Sequence, residues 1–249
     1  MNQVTLIQKT LQPHLGWHGA RVAFLALFLI ALFRVKTVNL TQLATGFIGK
    51  AKLESNYKRL QRFFGEFELN YYAIAQFVVH LMDIPQPWVL SIDRTTWEFG
   101  DVCHNILMLG VVHNGVAFPL LWWMLDQKGN SNTSERIELL EEFFEVFPTA
   151  EVDDLTADRE FLGTDWFEYL LEQGMVEFRI RIRESDKLDN LQQSLKAKVV
   201  FSNLKPGQHQ VLRHRRYCLG TLGLRRRIAT RRWKISDCCD EPSSSSCHY

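Results

Sequence analysis

Between Trp88 and Glu184 the hydrophobic pattern switches between strand and helix periods in an order that few folds accommodate. Residues 88–96 (WVLSIDRTT), 105–112 (NILMLGVV) and 116–125 (VAFPLLWWML) are strand-length runs rich in β-branched and aromatic side chains. His113-Asn114-Gly115, between the last two, reads as a tight turn. NTSERIELLEEFFEVF follows with the period of an amphipathic helix, capped by Thr133 or Ser134, with Ile137, Leu140, Phe144 and Phe147 turned inward. VDDLTADREF is a short fourth strand that ends in acids. GTDWFEYLLEQG is a second helix closed by Gly174, and VEFRIRIRE, residues 176–184, alternates as a fifth strand.

Three strands, a helix, a strand, a helix and a strand is the order of the ribonuclease H-like fold. There a carboxylate on the first strand meets one at the end of the fourth. Such neighbouring strand tips hold two divalent ions about 4 Å apart for in-line phosphoryl transfer. Asp93 comes directly after Val89, Leu90 and Ile92, where a buried carboxylate is costly unless paired or bound to metal. Asp158, in LTADREF, is its natural partner. The non-catalytic alternative has Asp93 capping a loop and Asp158 pairing with Arg159 at the surface.

Residues 1–84 read instead as helical, through LIQKTLQPHL, VAFLALFLIALF and NYYAIAQFVVHLMDI. Between the last two, Thr37 or Asn39 is placed to cap one short helix. Ser55 is placed to cap a second that contains Tyr57, Leu60, Phe63 and Phe64. This second helix also carries Lys58, Arg59 and Arg62, as a helix-turn-helix bound to DNA phosphates does. A helical bundle with a solvated basic face explains the same residues. Pro85 and Pro87 end the helical pattern and mark a domain boundary.

Charge divides along the chain. Residues 1–85 hold nine Lys/Arg against four Asp/Glu, residues 86–175 four against seventeen, and residues 176–249 sixteen against seven. Basic flanks suit a polyanion, and an acidic centre suits divalent metal, although solvated helix faces produce the same split. The apolar run from Val22 to Phe33 has twelve residues between Arg21 and Arg34, short of the roughly 20 that span a membrane. A buried helix is expected there, and no membrane partner. Cys103 stands apart from Cys218, Cys238, Cys239 and Cys247, so no disulfide framework is present and a reducing cytoplasm is the expected compartment. The four late cysteines and His248 also lack the C-x2-C spacing of a structural zinc site.

At SIDRTTW, NILMLGVVHNGVAFPLLW and LTADREFLGTDWFEYL the sequence resembles the DDE transposases of bacterial insertion sequences, and within them the insertion sequence 4 group. The resemblance covers about residues 20–216. It implies that Asp93 and Asp158 are the first two members of an acidic triad. It also implies magnesium-dependent (or manganese-dependent) DNA cleavage and strand transfer at transposon ends, usually by a dimer in the nucleoid-associated bacterial cytoplasm. The family element D-R-G-F stands here as Asp158, Arg159, Glu160 and Phe161, with Glu in place of Gly.

In this group a β-rich insertion precedes the helix bearing the third acid, and KVVFSNLKPGQHQVLRHRR resembles the start of it. The family then expects Y-x2-R-x3-E-x6-K, which the segment from Tyr217 onward does not match. Glu184, upstream of the insertion, is a poor substitute. The expected organisation is α/β, with a helical, DNA-binding domain over 1–84 and an incomplete ribonuclease H-like core over 85–185. The insertion begins over 186–217, and 218–249 is an out-of-frame tail. That tail runs through LRRR, TRRWK, CC and SSSS without strand alternation. A one-base shift from Cys218–Leu219, with permitted synonymous codons, reads VWGHWVYVAALRLEDGKFLIVV, a strand, a D-G turn and a second strand. The expected function is transposase by descent, catalytically incomplete. The alternatives are a non-catalytic DNA-binding fragment that occupies transposon ends or inhibits a full-length partner, and a stand-alone ribonuclease H-type nuclease.

Overall fold

The computed structural model describes residues 3–173, 176–189, 193–205, 208 and 216–218. The chain divides into two compact units, Met1–Asp83 and Ile84–Tyr249.

The first unit is helical: α1 (Gln3–Leu15), α2 (Gly19–Val35), α3 (Leu40–Gly46), α4 (Leu53–Glu66) and α5 (Tyr71–Met82). Asn39 caps α3, its Oδ1 accepting from the backbone N–H groups of Thr41 and Gln42 at 3.0 and 3.2 Å. Asn70 caps α5 in the same way. The apolar run from Val22 is the body of α2, which buries Val22, Phe24, Ala26, Ile30 and Ala31. Phe24 and Ala31 join Leu43, Ala44, Leu60 and Phe63 of α3 and α4 in one cluster, while Val22 packs with Leu11 and Leu15 of α1 in another. No single helix among the described residues is long and apolar enough to cross a membrane. α4 begins at Leu53, ahead of Ser55, and Lys52 at its N-cap makes no side-chain cap bond. Of its apolar residues, Leu60 and Phe63 are buried and Phe64 is 48% exposed.

The second unit is a mixed α/β structure. Its five-stranded sheet comprises β1 (Trp88–Phe99), β2 (Val102–His113), β3 (Val116–Leu125), β4 (Val152–Ala157) and β5 (Phe178–Ile180), in the order β3-β2-β1-β4-β5. β1, β2 and β3 form an antiparallel meander, and β4 and β5 add parallel strands on the other edge of β1. The β2–β3 turn has positive φ at Asn114 and Gly115, as a two-residue hairpin matched to strand twist requires. β2 and β3 slip register between Leu109 and Gly110, where β3 crosses so close that a Cβ on Gly110 would lie 2.4 Å from the Phe118 carbonyl oxygen.

One sheet face forms the core. Leu90, Ile92, Leu107, Leu109, Val111 and Leu155 are buried, as are Leu139, Leu140 and Phe143 of α6 (Thr133–Val146). Trp88 meets Phe143 and Phe147 edge-on, and Trp123 Nε1 donates to Glu142 at 2.6 Å, joining β3 to α6. Asn132, not Thr133 or Ser134, caps α6, through a capping box with Glu135. The inward stripe is Leu139, Leu140, Phe143, Val146 and Phe147, which leaves Ile137 and Phe144 half-buried. The stripe shifts because Arg136 is drawn inside by hydrogen bonds to Ser131 and to the Glu160 carbonyl.

β4 is followed by a single 3-10 turn (Arg159–Phe161) and by α7 (Thr164–Glu168), which widens into a π-helical turn through Gln173. The expected Gly174 stop lies outside the described residues. The fifth strand is shorter than its alternating sequence. β5 pairs with β4 only at Leu155, Thr156 and Ala157, and β4 ends there, so the residues after Ile180 have no ladder to join. Beyond it, β6 (Lys187–Asp189), β7 (Ser194–Lys196) and β8 (Arg216–Cys218) form a small antiparallel sheet ordered β7-β6-β8, with α8 (Ala197–Val200) after β7. The tail beyond Cys218 lies outside the described residues.

Candidate functional site

Parallel pairing of β1 with β4 sets the geometry. The ladder runs from Trp88 opposite Val152 to Ile92 opposite Ala157, and the residue after each member of that last pair is an aspartate. Asp93 therefore follows within β1, which continues to Phe99 against β2, and Asp158 follows the end of β4, on neighbouring strands whose spacing is about 4.8 Å. Ile92 and Ala157 point into the core, and the period of the strands turns the next side chains away from it. Both aspartates are exposed. The cost of burying a carboxylate, expected from the apolar residues before Asp93, thus does not arise. It falls on Asp154, which is 7% exposed and paired with Arg179 of β5. Asp154 Oδ1 finds no hydrogen-bond partner among the described residues. The bond to Asp154 raises the Arg179 pKa above its ordinary value, against the opposing effect of burial.

Each candidate acid has one oxygen held by a backbone N–H. The Arg94 N–H donates to Asp93 Oδ1 at 2.8 Å, and the Glu160 N–H donates to Asp158 Oδ1 at 2.7 Å. Among the described residues no donor reaches the second oxygen of either carboxylate. Asp158 thus caps the turn that follows it, and its ion pair with Arg159, weighed from sequence, is not formed.

Arg94, next to Asp93, and Glu160, two residues after Asp158, bond to each other instead. Arg94 Nε and Nη2 donate to the two Glu160 carboxylate oxygens at 2.9 and 3.0 Å. Arg94 Nη1 donates to Asn105 Oδ1 at 3.0 Å, and Asn105 Nδ2 donates to the carbonyls of Gln127 and Gly129 at 2.7 and 2.9 Å. Arg136, 4% exposed, reaches the Glu160 carbonyl from α6 at 3.2 Å. Burial lowers the Arg136 pKa from its ordinary value, and the nearby Glu160 and Glu135 carboxylates oppose that shift.

The donor chemistry at Asp93 and Asp158 suits one hard divalent cation such as Mg2+ or Mn2+. Such ions take one or two protein carboxylates and complete their shell with water and phosphate oxygens. Among the described residues, no further set of protein ligands is placed to hold the second ion of a two-metal site. Among the described residues no group of three or more His, Cys, Asp or Glu side chains is placed to hold a metal. Glu184 lies beyond β5, exposed, and pairs with Lys198 at 3.4 Å. Cys238, Cys239, Cys247 and His248 are outside the described residues.

In the first unit, Lys58 and Arg62 are exposed one turn apart on α4. Arg59 is half-buried, its guanidinium 5.0 Å from the Phe24 ring centroid and 6.0 Å from that of Phe47, so it packs on the helical core. Sequence reasoning saw Glu160 only as a departure from a family element. It missed Arg94, Asn105 and Arg136. Two signals were present: a charged residue one position after Asp93 and another two positions after Asp158, and an Asn opening an otherwise apolar run.

No protein-family model and no curated protein matches the chain.

Proposed function

We propose that this chain is a DDE-type DNA transposition protein of the insertion sequence 4 group, built on a ribonuclease H-like core and catalytically incomplete. The observation that supports this reading is the Ile92–Ala157 register pair, since Asp93 follows the first residue within β1 and Asp158 follows the second at the end of β4. The strand order β3-β2-β1-β4-β5, with β1 antiparallel to β2 and parallel to β4, supports the same core.

A divalent cation at Asp93 and Asp158 would stabilise charge on a scissile DNA phosphate and activate the attacking oxygen. Asp93 and Asp158 each contribute the carboxylate oxygen that is not held by the backbone. No residue of this sequence matches the family's third acid, so transition-state charge is under-stabilised and cleavage is lost or very slow. An out-of-frame segment from Cys218 accounts for that missing acid.

A second function is favoured by the exposed pair Lys58 and Arg62 on α4. The chain binds transposon ends without cutting them, as a homodimer or as a heterodimer that inhibits full-length transposase. It acts in the bacterial cytoplasm, at the nucleoid.

One experiment separates these outcomes: gel-shift and cleavage assays on transposon-end DNA with Mg2+ or Mn2+. End binding without nicking is the expected result. Metal-dependent nicking by this chain alone overturns catalytic incompleteness, and equal affinity for ends and random duplex overturns end recognition. The gene provides an independent check, since a one-base shift near codon 217 must open a strand-like reading.

A further inference from the structure

Asp93 and Asp158 are linked by a chain of hydrogen bonds that runs through Arg94 and Glu160. Arg94 holds Asp93 by its backbone N–H and Glu160 by its side chain. Glu160 holds Asp158 by its backbone N–H and Arg94 by its side chain. The side-chain link is bidentate, joins residues 66 apart in sequence, and has side chains only 15% and 20% exposed. Two parallel N–H···O bonds fix orientation as well as distance, unlike a solvated pair of point charges. Each partner is itself anchored, Arg94 by Asn105 and the Glu160 main chain by Arg136. Past the Ile92–Ala157 pair the β1–β4 ladder stops: β1 continues to Phe99 held by β2, while β4 ends, so no β1–β4 ladder pairing fixes the residues after Ala157.

We propose that Arg94 and Glu160 are positioning residues that clamp the turn after β4 to the middle of β1 and set the separation of Asp93 and Asp158 for one divalent cation. This rests on the reading of those two aspartates as metal ligands. Neither Arg94 nor Glu160 touches the cation. They act through the two backbone N–H groups, which hold one oxygen of each acid and leave the other for the ion.

The test is Mn2+ affinity by calorimetry on the full chain, with a metal-free thermal melt of every variant. Glu160→Gln and Arg94→Gln are each expected to weaken Mn2+ binding by roughly 10- to 100-fold, the usual loss on removing a residue that orients a ligand. The double variant should be no worse than the weaker single one, since the two act as one unit. A through-space charge effect predicts opposite signs, with Glu160→Gln weakening and Arg94→Gln tightening the ion, and that pattern overturns the clamp. A purely structural bridge lowers the melting temperature and leaves Mn2+ affinity unchanged, which also overturns it. If Arg94→Gln does not fold, Arg94→Lys keeps the charge and loses the fork, and must still weaken binding. Asp93→Asn and Asp158→Asn test the underlying reading separately. If they leave Mn2+ affinity intact, the ligand assignment itself fails.

Discussion

Ile92 on β1 lies opposite Ala157 on β4 in the last register pair of a parallel ladder, and both are buried. Beyond that pair β1 continues with Asp93 against β2, while β4 ends and Asp158 follows it. The two acids thus come directly after paired residues of neighbouring strands, although the chain separates them by a hairpin, a third strand and a helix. With divalent metal bound there, unfolding must also release the ion. At a free Mn2+ concentration 100 times the dissociation constant the added stability is about 2.7 kcal/mol. Thermal melts with and without Mn2+ should show this upward shift in the parent chain and lose it in Asp93→Asn and in Asp158→Asn.

The three basic residues of α4 are not equivalent. Lys58 and Arg62 are exposed, and replacing both with Ala should reduce the slope of log affinity for DNA against log salt by about 2, one counterion each. Arg59 lies over Phe24, so Arg59→Ala should lower stability by about 0.5–2 kcal/mol with a smaller change in the salt slope. Fluorescence anisotropy at several salt concentrations and urea unfolding separate the two effects. Equal salt slopes for the parent and the Lys58/Arg62 double variant would remove α4 from the interface.

Phe143 is fully buried on α6 and touches Trp88 and Phe147. Phe143→Ala should cost about 3–5 kcal/mol, because the removed ring leaves a cavity that the sheet closes only in part. Gly110→Ala places a methyl against the Phe118 carbonyl and should cost about 1–3 kcal/mol through displacement of β3. Chemical denaturation measures both.

Burial pushes the Tyr169 phenol up to about 12, and the Glu141 carboxylate beside it adds to the shift by repulsion and by accepting the Tyr169 hydroxyl at 3.3 Å. The neutral phenol is thus favoured in the fold. Its contribution is fully present below the unfolded value near 10 and is lost as pH rises from about 10 to 12, where only the unfolded chain has ionised. Ultraviolet titration of the parent against Tyr169→Phe should show one phenol ionising near pH 12. Loss of that step in the variant assigns it, and an unchanged titration curve overturns the shift.

The strands over 88–125, the Asn114-Gly115 turn and the helix after it are legible in the sequence, because side-chain period and turn chemistry are local properties. The acids at Asp93 and Asp158 stand out for the same reason, Asp93 directly after an apolar run and Asp158 at the end of a short strand-length segment. What each element pairs with is not local. VEFRIRIRE alternates along its whole length, yet only Phe178–Ile180 forms strand, since the register sets Ile180 opposite Ala157, the last residue of β4. α6 presents Phe143 rather than Phe144 to the core because Arg136 is drawn in by Ser131 and by Glu160, 24 residues away. Arg59 reads as a free cation until the fold brings Phe24 beneath it. The sequence by itself determined the kinds of element, their order and the two acids. Only the tertiary structure decided the register that makes those acids neighbours and the Arg94–Glu160 bond that ties them. Both are contacts between segments whose separation along the chain leaves no trace in periodicity.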